Sequence, residues 1–440
     1  MSAGVKVGTD TANSGSNYPM KWAIYVFILL FLLYVFDYID RYIIVSLYPF
    51  LKTDFGLSDA QCGLLMSGLI WTQVIFTLPV GWLLDRWSRK KSIGIMSILW
   101  GLGSAAGALT VGFGQLFATR CVVGVGEAGY GAGGTSLLSA VFRPGLRARV
   151  LGYQQAAIPI GQAVGILLGG VIAMKYGWRS ALGIVALPGI IVAILMFWIK
   201  DYKNVELLKT VKDTAAKIRM GFWGSLKELF RAKSLVMVYV GFPLYMFGSA
   251  ALSTWMASYF NRFGGMDPAQ ASTRTSIILA MAVIGAPLGG ILTDWWTRKN
   301  PAGRLLVPAI GCAATALLTW LAFSLKVGTP QFIILLLVGM CAIIFLPGTN
   351  AVTQDVVHPG LRSMSRSVHI FIQALLGTAL GPLIIGAISD AVGLDKAMLW
   401  GIAPFMLLAA VLFLIGARFY KKDLEECEKC QLTFEGQQMN

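Results

Sequence analysis

"GWLLDRWSRKK", residues 81–91, is the stretch that decides the fold, because most of it is written a second time. "GILTDWWTRK" spans 290–299, and a shift of 209 pairs Gly81 with Gly290, Asp85 with Asp294, Trp87 with Trp296, Arg89 with Arg298 and Lys90 with Lys299. A second echo follows in the same order: "PGLR" stands at 144–147 and again at 359–362. Each repeated stretch is a short basic connection next to an apolar run. Two ordered matches in equivalent connections point to a duplicated chain, the architecture of alternating-access membrane transporters, which hold their substrate between the repeats.

The surrounding composition agrees. Of the 440 residues, 56% are hydrophobic and 13% charged, too apolar for a soluble chain of this length. Apolar runs of about 20 residues recur throughout, as a polytopic helical protein requires, and they do not alternate as barrel strands would. Twelve spans are expected: 22–48, 58–84, 92–111, 115–141, 147–174, 179–200, 235–260, 270–293, 304–325, 330–356, 363–391 and 396–419. The fold class is therefore all-α and polytopic, two pseudo-symmetric bundles of six helices. The predicted organisation is a tail (1–21), a first bundle (22–200), a connection (201–234), a second bundle (235–420) and a second tail (421–440). In the connection, Phe222, Leu226, Leu229 and Phe230 recur at helical spacing, the pattern of a helix lying on the membrane surface.

The net charge of +15 does not point to nucleic acid, because the basic residues sit in short connections. Connections after even-numbered spans, with their flanks, hold 21 Lys and Arg; those after odd-numbered spans hold 7. By the positive-inside rule both termini are cytoplasmic, in a cell inner (plasma) membrane. The first apolar run is too long for the core of a signal peptide. Four cysteines lie in or beside apolar runs; Cys427 and Cys430 form a CxxC expected in a solvated, reduced tail, without the further ligands a zinc site needs. No cofactor or metal is expected, and there is no GxxxxGK[ST] phosphate loop.

The motif G-x-x-x-D-x-x-x-R-K resembles the signature of the major facilitator superfamily, over nearly the whole chain. That likeness implies that Asp85 and Asp294 are gating residues, with Arg89, Arg298, Arg147 and Arg362 nearby. A carboxylate beside a helix start is stabilised by the helix dipole, which suits such a gate. Within the superfamily, "IDRYII", "RCVVGVGEAGYG", "AIPIGQAVGILLGG" and "YGWRSALGIVALPGI" resemble the Spinster-type branch. The Asp-Arg of span 1 and the Arg-x6-Glu of span 4 are shared with the anion–cation symporter branch. The first likeness implies lysolipid or sphingolipid substrates; the second implies organic anions moved with protons.

The residues behind these likenesses are costly ones. Asp37, Asp40 and Arg41 follow fifteen uncharged residues, Trp22 to Phe36, and each charge at a bilayer centre costs roughly 2.5–3.5 kcal/mol. Tyr34, Asp37, Asp40 and Arg41 share one helical face, and Arg120 and Glu127, seven apart, share another. Counting the rise per residue brings both sets into the outer half of the first bundle. The expectation is a hydrated central cavity. There Asp40, Glu127 and Asp37 are the proton-coupling candidates, since one carboxylate exceeds the guanidiniums and crowding favours its protonated form. Arg41 and Arg120 hold those carboxylates or bind an anionic substrate. Tyr34, Gln154, Asn350, Gln354, His369 and Gln373 are further substrate-binding candidates, with Gln155 beside Gln154. "FLPGTN" (345–350) is expected to bend span 10 and free backbone carbonyls. Gly161-x3-Gly165-x3-Gly169 and Gly285-x3-Gly289 are expected to serve as close helix seams for moving halves. The predicted partners are a small-molecule substrate, protons and membrane lipids; a monomer is expected. No nucleophile or metal cluster points to an enzyme.

Overall fold

A computed structural model describes residues 19–86, 89–142, 144–199, 222–358 and 361–438. It is built of helices joined by short turns. The first half comprises α1 (Met20–Phe55), α2 (Asp59–Arg86), α3 (Arg89–Gly107), α4 (Phe113–Glu127), α5 (Tyr130–Val141), α6 (Pro144–Gln155), α7 (Ala157–Tyr176) and α8 (Trp178–Leu195). A short surface helix, α9 (Phe222–Leu229), precedes the second half. That half comprises α10 (Lys233–Gly264), α11 (Pro268–Ala280), α12 (Ala282–Thr297), α13 (Gly303–Ser324), α14 (Thr329–Cys341), α15 (Leu346–Asp355), α16 (Arg362–Ile372), α17 (Leu380–Val392), α18 (Leu394–Gly401) and α19 (Ala403–Gln438). A π-helical stretch, Gln373–Thr378, joins α16 to α17.

Ten helices among the described residues are long and apolar enough to cross a membrane. Twelve spans are expected from the sequence. The difference falls on 92–111 and 115–141, which are helical but short of that measure. The 19 residues of α3 start on three basic side chains, and the second stretch is interrupted between Glu127 and Tyr130.

The internal repeat has a backbone counterpart. Among the described residues the glycines with positive φ are Gly56 (65°), Gly177 (81°), Gly265 (61°) and Gly393 (94°). Gly265 follows Gly56 by 209 residues, the shift of the sequence repeat, and Gly393 follows Gly177 by 216. All four close turns at one end of the molecule, a left-handed geometry that a Cβ resists. We call this end distal, and the end carrying the start of α1 and the tail of α19 proximal.

Small residues set the helix spacing. A Cβ on Gly165 would lie 2.8 Å from the Cα of Ile39, so α7 rides against the backbone of α1. Gly161 and Gly169 meet α1 in the same way, and Gly285 and Gly289 bring α12 onto the backbone at Met340 and Ile344. These ridges therefore pack within each half, not between halves as the sequence suggests; glycines outside them face across, Gly170 against Ser272 of α11 and Gly63 against Pro382 of α17.

The halves are joined at the distal end. There α2 packs on α17, α7 on α11, and Tyr48 of α1 on Trp255 of α10, with ring centroids 5.4 Å apart. Asp59, at the start of α2, accepts hydrogen bonds from Arg262 Nη1 (2.7 Å) and Nη2 (2.5 Å) and from Ser389 Oγ (2.6 Å), and pairs with Lys52 (2.5 Å). Asp390 accepts from the backbone N–H groups of Asp59 (2.7 Å) and Ala60 (2.8 Å). A carboxylate of one half thus caps a helix of the other, where the unpaired amides and the dipole favour negative charge. Deeper in, Ser67 Oγ donates to the carbonyl of Ala379 (2.5 Å) and Ser276 Oγ to that of Ala163 (2.7 Å).

At the proximal end, α9 lies where a surface helix is expected, with Trp223 exposed and Leu229 buried. Cys427 differs from expectation. It is buried rather than solvated, because α19 continues past the last apolar run and turns Cys427 toward a cavity of ≈ 380 Å³ bounded by α9, Val356, Val357, His358 and Leu361. The side chain of Cys430 lies outside the described ones.

Candidate functional site

The charged residues of α1 and α4 form one network. Two glycines on α4 explain how they meet. Gly124 lies against the carbonyl of Leu69 on α2, and a Cβ on Gly126 would sit 2.6 Å from the backbone nitrogen of Trp100 on α3. With these faces drawn onto its neighbours, α4 turns Arg120 and Glu127 toward α1. Arg41 Nη2 donates to Glu127 Oε2 and lies 3.9 Å from Asp37 Oδ2. Its guanidinium also covers the ring of Tyr38, 4.8 Å from the centroid.

The second pair lies deeper. Arg120 Nη1 is 3.8 Å from Asp40 Oδ2, and Arg120 donates to the backbone carbonyls of Asp40 (3.4 and 3.5 Å) and Arg41 (3.3 Å). Ser104 Oγ of α3 donates to Asp40 Oδ1. All five charged residues are buried: Asp40 is 0% exposed, Arg120 1%, Glu127 2%, Asp37 3% and Arg41 8%. The site is drier than the sequence suggests, because Asp40 points into the first bundle toward Ser104 and not toward the space between halves. Asp37 Oδ1 and Glu127 Oε1 are buried with no hydrogen-bond partner among the described residues. Such orphaned acceptors mark a place for a proton, a water or a ligand.

Tyr34 connects this network to open space. Its ring meets Tyr38 edge-on at 5.3 Å, and Tyr38 stacks near Tyr42 at 6.4 Å, a ladder along α1 whose middle ring lies under Arg41. Tyr34 also lines a cavity of ≈ 290 Å³ with Thr135, Leu151, Gln154 and Gln155. Gln154 Nε2 donates to the carbonyl of Leu30 (3.1 Å), which fixes α6 against α1.

In the second half, the expected bend in span 10 is present: α14 ends at Cys341 and α15 starts at Leu346. The interruption leaves the Ala342 carbonyl to accept from Tyr245 Oη (3.0 Å). Asn350 and Gln354 share a face of α15, and Gln354 is exposed although α10, α12, α13 and α16 all pack on α15. His369 is 1% exposed, its ring edge-on to Phe242 at 4.3 Å, so it faces the core of its own half instead of the open face. Gln373 is half-buried at the start of the π stretch.

The gating candidates are less assembled. Asp294 and Arg298 are exposed, and Arg362 Nε donates to the carbonyl of Gln354 (3.1 Å). The side chains of Asp85, Arg89 and Arg147 lie outside the described ones. Five residues escape the sequence reading: Ser104, Tyr38, Arg366 and the distal pair of Asp59 with Asp390. Ser104 and Tyr38 carry no charge to flag them. Arg366 and the two aspartates sit close to predicted span ends, where charge reads as topology.

Two packed helical halves, joined at one end and holding buried ion pairs beside a cavity, form the architecture of a membrane transporter. The chain belongs to the Major Facilitator Superfamily, whose family model matches residues 30–375. It is 28% identical over 398 residues to the hexuronate transporter of Bacillus subtilis (strain 168), covering 88% of this chain and 94% of that one. It is 27% identical over 372 residues to protein spinster of Drosophila melanogaster, covering 81% of this chain and 60% of that one. Among solved structures, a bacterial homolog of the human lysosomal transporter Spinster, inward-facing and unoccupied, superposes with a TM-score of 0.77 at 23% identity, covering 94% and 99%. The sequence likeness thus extends to a hexuronate transporter and to a spinster protein alike.

Proposed function

We propose that the chain is a secondary active transporter that works by alternating access and carries a small organic anion, a carboxylate or sulfonate, in symport with protons. The observation that carries this reading is the network of three carboxylates against two guanidiniums, buried and joined by a tyrosine ladder to a cavity that bears Thr135, Gln154 and Gln155. If every group is ionised, the network holds one surplus negative charge in a site that solvates it poorly, and one proton removes that surplus. Asp40, Glu127 and Asp37 are its candidate carriers. Glu127 is the best placed, with one oxygen on Arg41 and the other without a donor among the described residues. Arg41, with the most exposed side chain of the five, is the contact for the anion. Protonating Glu127 weakens its hold on Arg41 and frees the guanidinium for a carboxylate, which couples the two binding events.

With both termini cytoplasmic, the distal contacts close the outer face of an inner (plasma) membrane, and the site communicates with the cytoplasm. The kinship with a hexuronate transporter supports an anionic sugar as first substrate to try. A lysolipid or sphingolipid is the second reading. It is favoured by the Spinster likeness and by a wholly apolar groove of ≈ 260 Å³ lined by Leu292, Trp295, Trp296 and Ile310.

Proteoliposomes with an alkaline interior test both. The protein should concentrate labelled glucuronate, and Glu127→Gln should abolish accumulation while sparing exchange. Full accumulation by that variant rejects the proton role. Flux of a labelled lysolipid without flux of glucuronate would instead establish the second reading.

A further inference from the structure

The repeat that marks the fold sets two lysines in equivalent places, and the halves use them differently. Lys90 Nζ donates to the backbone carbonyls of Phe197 (3.4 Å) and Ile199 (2.9 Å) in its own half. Its counterpart Lys299 has neither a carbonyl nor a carboxylate partner among the described residues; its Nζ lies over the ring of Trp295, 4.1 Å from the centroid. Trp295 is one wall of the apolar groove of ≈ 260 Å³ between α12, α13 and α14.

The register of α12 joins the lysine to that groove. Leu292 and Trp296, both in the lining, are four apart, and Lys299 follows Leu292 by seven. The backbone keeps helical angles at Arg298 (φ −61°, ψ −28°), so one face runs from the groove out to the ammonium at its proximal end. On α13 the lining runs from Val307 to Ala314, a rise of about 10 Å, which fits within one leaflet of a core about 30 Å thick. Leu292, Trp295 and Ile310 are exposed, and Leu317 continues the exposed stripe along α13, the face that meets hydrocarbon in a membrane.

The charge at the proximal mouth is positive. Asp294 stands about 200° round α12 from Leu292 and faces away. Asp355 is held by Arg304 (3.3 Å) and Tyr420 (2.9 Å). The indole N–H groups of Trp295 and Trp296 have no acceptor among the described residues, and indoles near a span end sit at headgroup level. An apolar trough ending in a cation and two N–H donors is complementary to an amphiphile with an anionic head. Its floor is the joint of span 10: Cys341 ends α14, Ile344 lies in the interruption before α15, and both line the groove. An occupant therefore packs against the bend.

We propose that this groove seats a resident anionic phospholipid from the leaflet at the proximal end, with an acyl chain along α13 and the phosphate on Lys299, and that the bound lipid steadies the joint between α14 and α15. The site is independent of which substrate is carried. A resident lipid is not cargo, so the lysolipid reading then keeps only the Spinster likeness in its favour.

Native mass spectrometry of the full chain released from nanodiscs measures the lipid it keeps, with phosphatidylglycerol and phosphatidylcholine of identical acyl chains as probes. Wild type should keep one phosphatidylglycerol in preference to phosphatidylcholine. Lys299→Gln should lower phosphatidylglycerol retention about fivefold, the worth of one lysine near an anionic surface, and leave phosphatidylcholine unchanged. Ala314→Phe, or Ala314→Leu should the first not fold, fills the groove and should lower retention of both. Hydrogen exchange of peptides covering 341–346 reads the joint: phosphatidylglycerol should slow it in wild type and not in Lys299→Gln. Equal retention of the two lipids by wild type overturns the proposal, and so does a Lys299→Gln protein that keeps phosphatidylglycerol as wild type does. Exchange at 341–346 that ignores the lipid overturns the effect on the joint. Movement of the retained lipid between leaflets would make it cargo and overturn the resident role.

Discussion

The two halves share a plan and spend their polar residues differently. The first gathers five charges of α1 and α4 into a buried network sealed by Ser104. The second places no carboxylate against its half-buried Arg366, breaks the helix between α14 and α15, and hands the released Ala342 carbonyl to Tyr245. Ion pairs in a dry site are stiff: either partner alone is costly. A helix break capped by a tyrosine is a modest perturbation that bending relieves. The duplicated fold has thus diverged into a half that buries a charge network and a half whose tenth span is interrupted.

The largest expected effect follows from that contrast. Arg120→Ala leaves Asp40 buried without its cation, which costs about 3–5 kcal/mol for a broken internal pair. Arg366→Gln removes a cation that has no carboxylate to strand, and surface-like losses of about 0.5 kcal/mol are expected. Thermal unfolding of both variants in detergent measures the difference. Equal destabilisation would break the comparison, because Arg366 would then be as structural as Arg120.

A second contrast runs between the ends. At the distal end Asp59, Arg262, Ser389 and Asp390 tie α1 and α2 to α10 and α17, whereas the gating side chains described at the proximal end, Asp294 and Arg298, are exposed. Asp390→Ala removes both bonds to the α2 amides. Each hydrogen bond to a charged group is worth about 1.5–3 kcal/mol, so losing both should move the balance between closed and open distal ends by at least about a hundredfold. Pairs of spin labels on α2 and α17 report it as a longer distance population. Unchanged distances would show that the apolar seam of α7 on α11 holds this end shut by itself.

Much of this was legible in the sequence, and the reason differs by feature. The repeat at 81–91 and 290–299 reveals the duplicated fold because it falls in connections, where sequence is free to differ and need not match. Asp40, Arg41, Arg120 and Glu127 stand out because charge in an apolar run demands a reason. Direction is what periodicity leaves out. Asp37 and Asp40 share a broad helical face, and only the packing of α3, with Ser104, shows that Asp40 turns inward. The glycine ridges are visible as strings, yet their partner is not: Gly161, Gly165 and Gly169 serve α1 inside the first half. The distal latch joins residues 331 apart, Asp59 and Asp390, a pairing that no local pattern encodes.

The smallest effect tests the hinge. Tyr245 is fully buried and its hydroxyl reaches the Ala342 carbonyl at 3.0 Å, inside the interruption of α14 and α15. Tyr245→Phe deletes one oxygen and keeps the ring against Phe345, whose centroid lies 4.2 Å away. The loss is one neutral hydrogen bond, about 1 kcal/mol. Ser104→Ala in the first half also deletes a single hydroxyl, but one that donates to a buried carboxylate, for which about 1.5–3 kcal/mol is expected. Melting temperatures of the two variants should therefore fall in that order, with Ser104→Ala the lower. A larger drop for Tyr245→Phe would mean that the break in span 10 is a strained joint held by this bond, and that the second half stores energy where the comparison assigns it freedom.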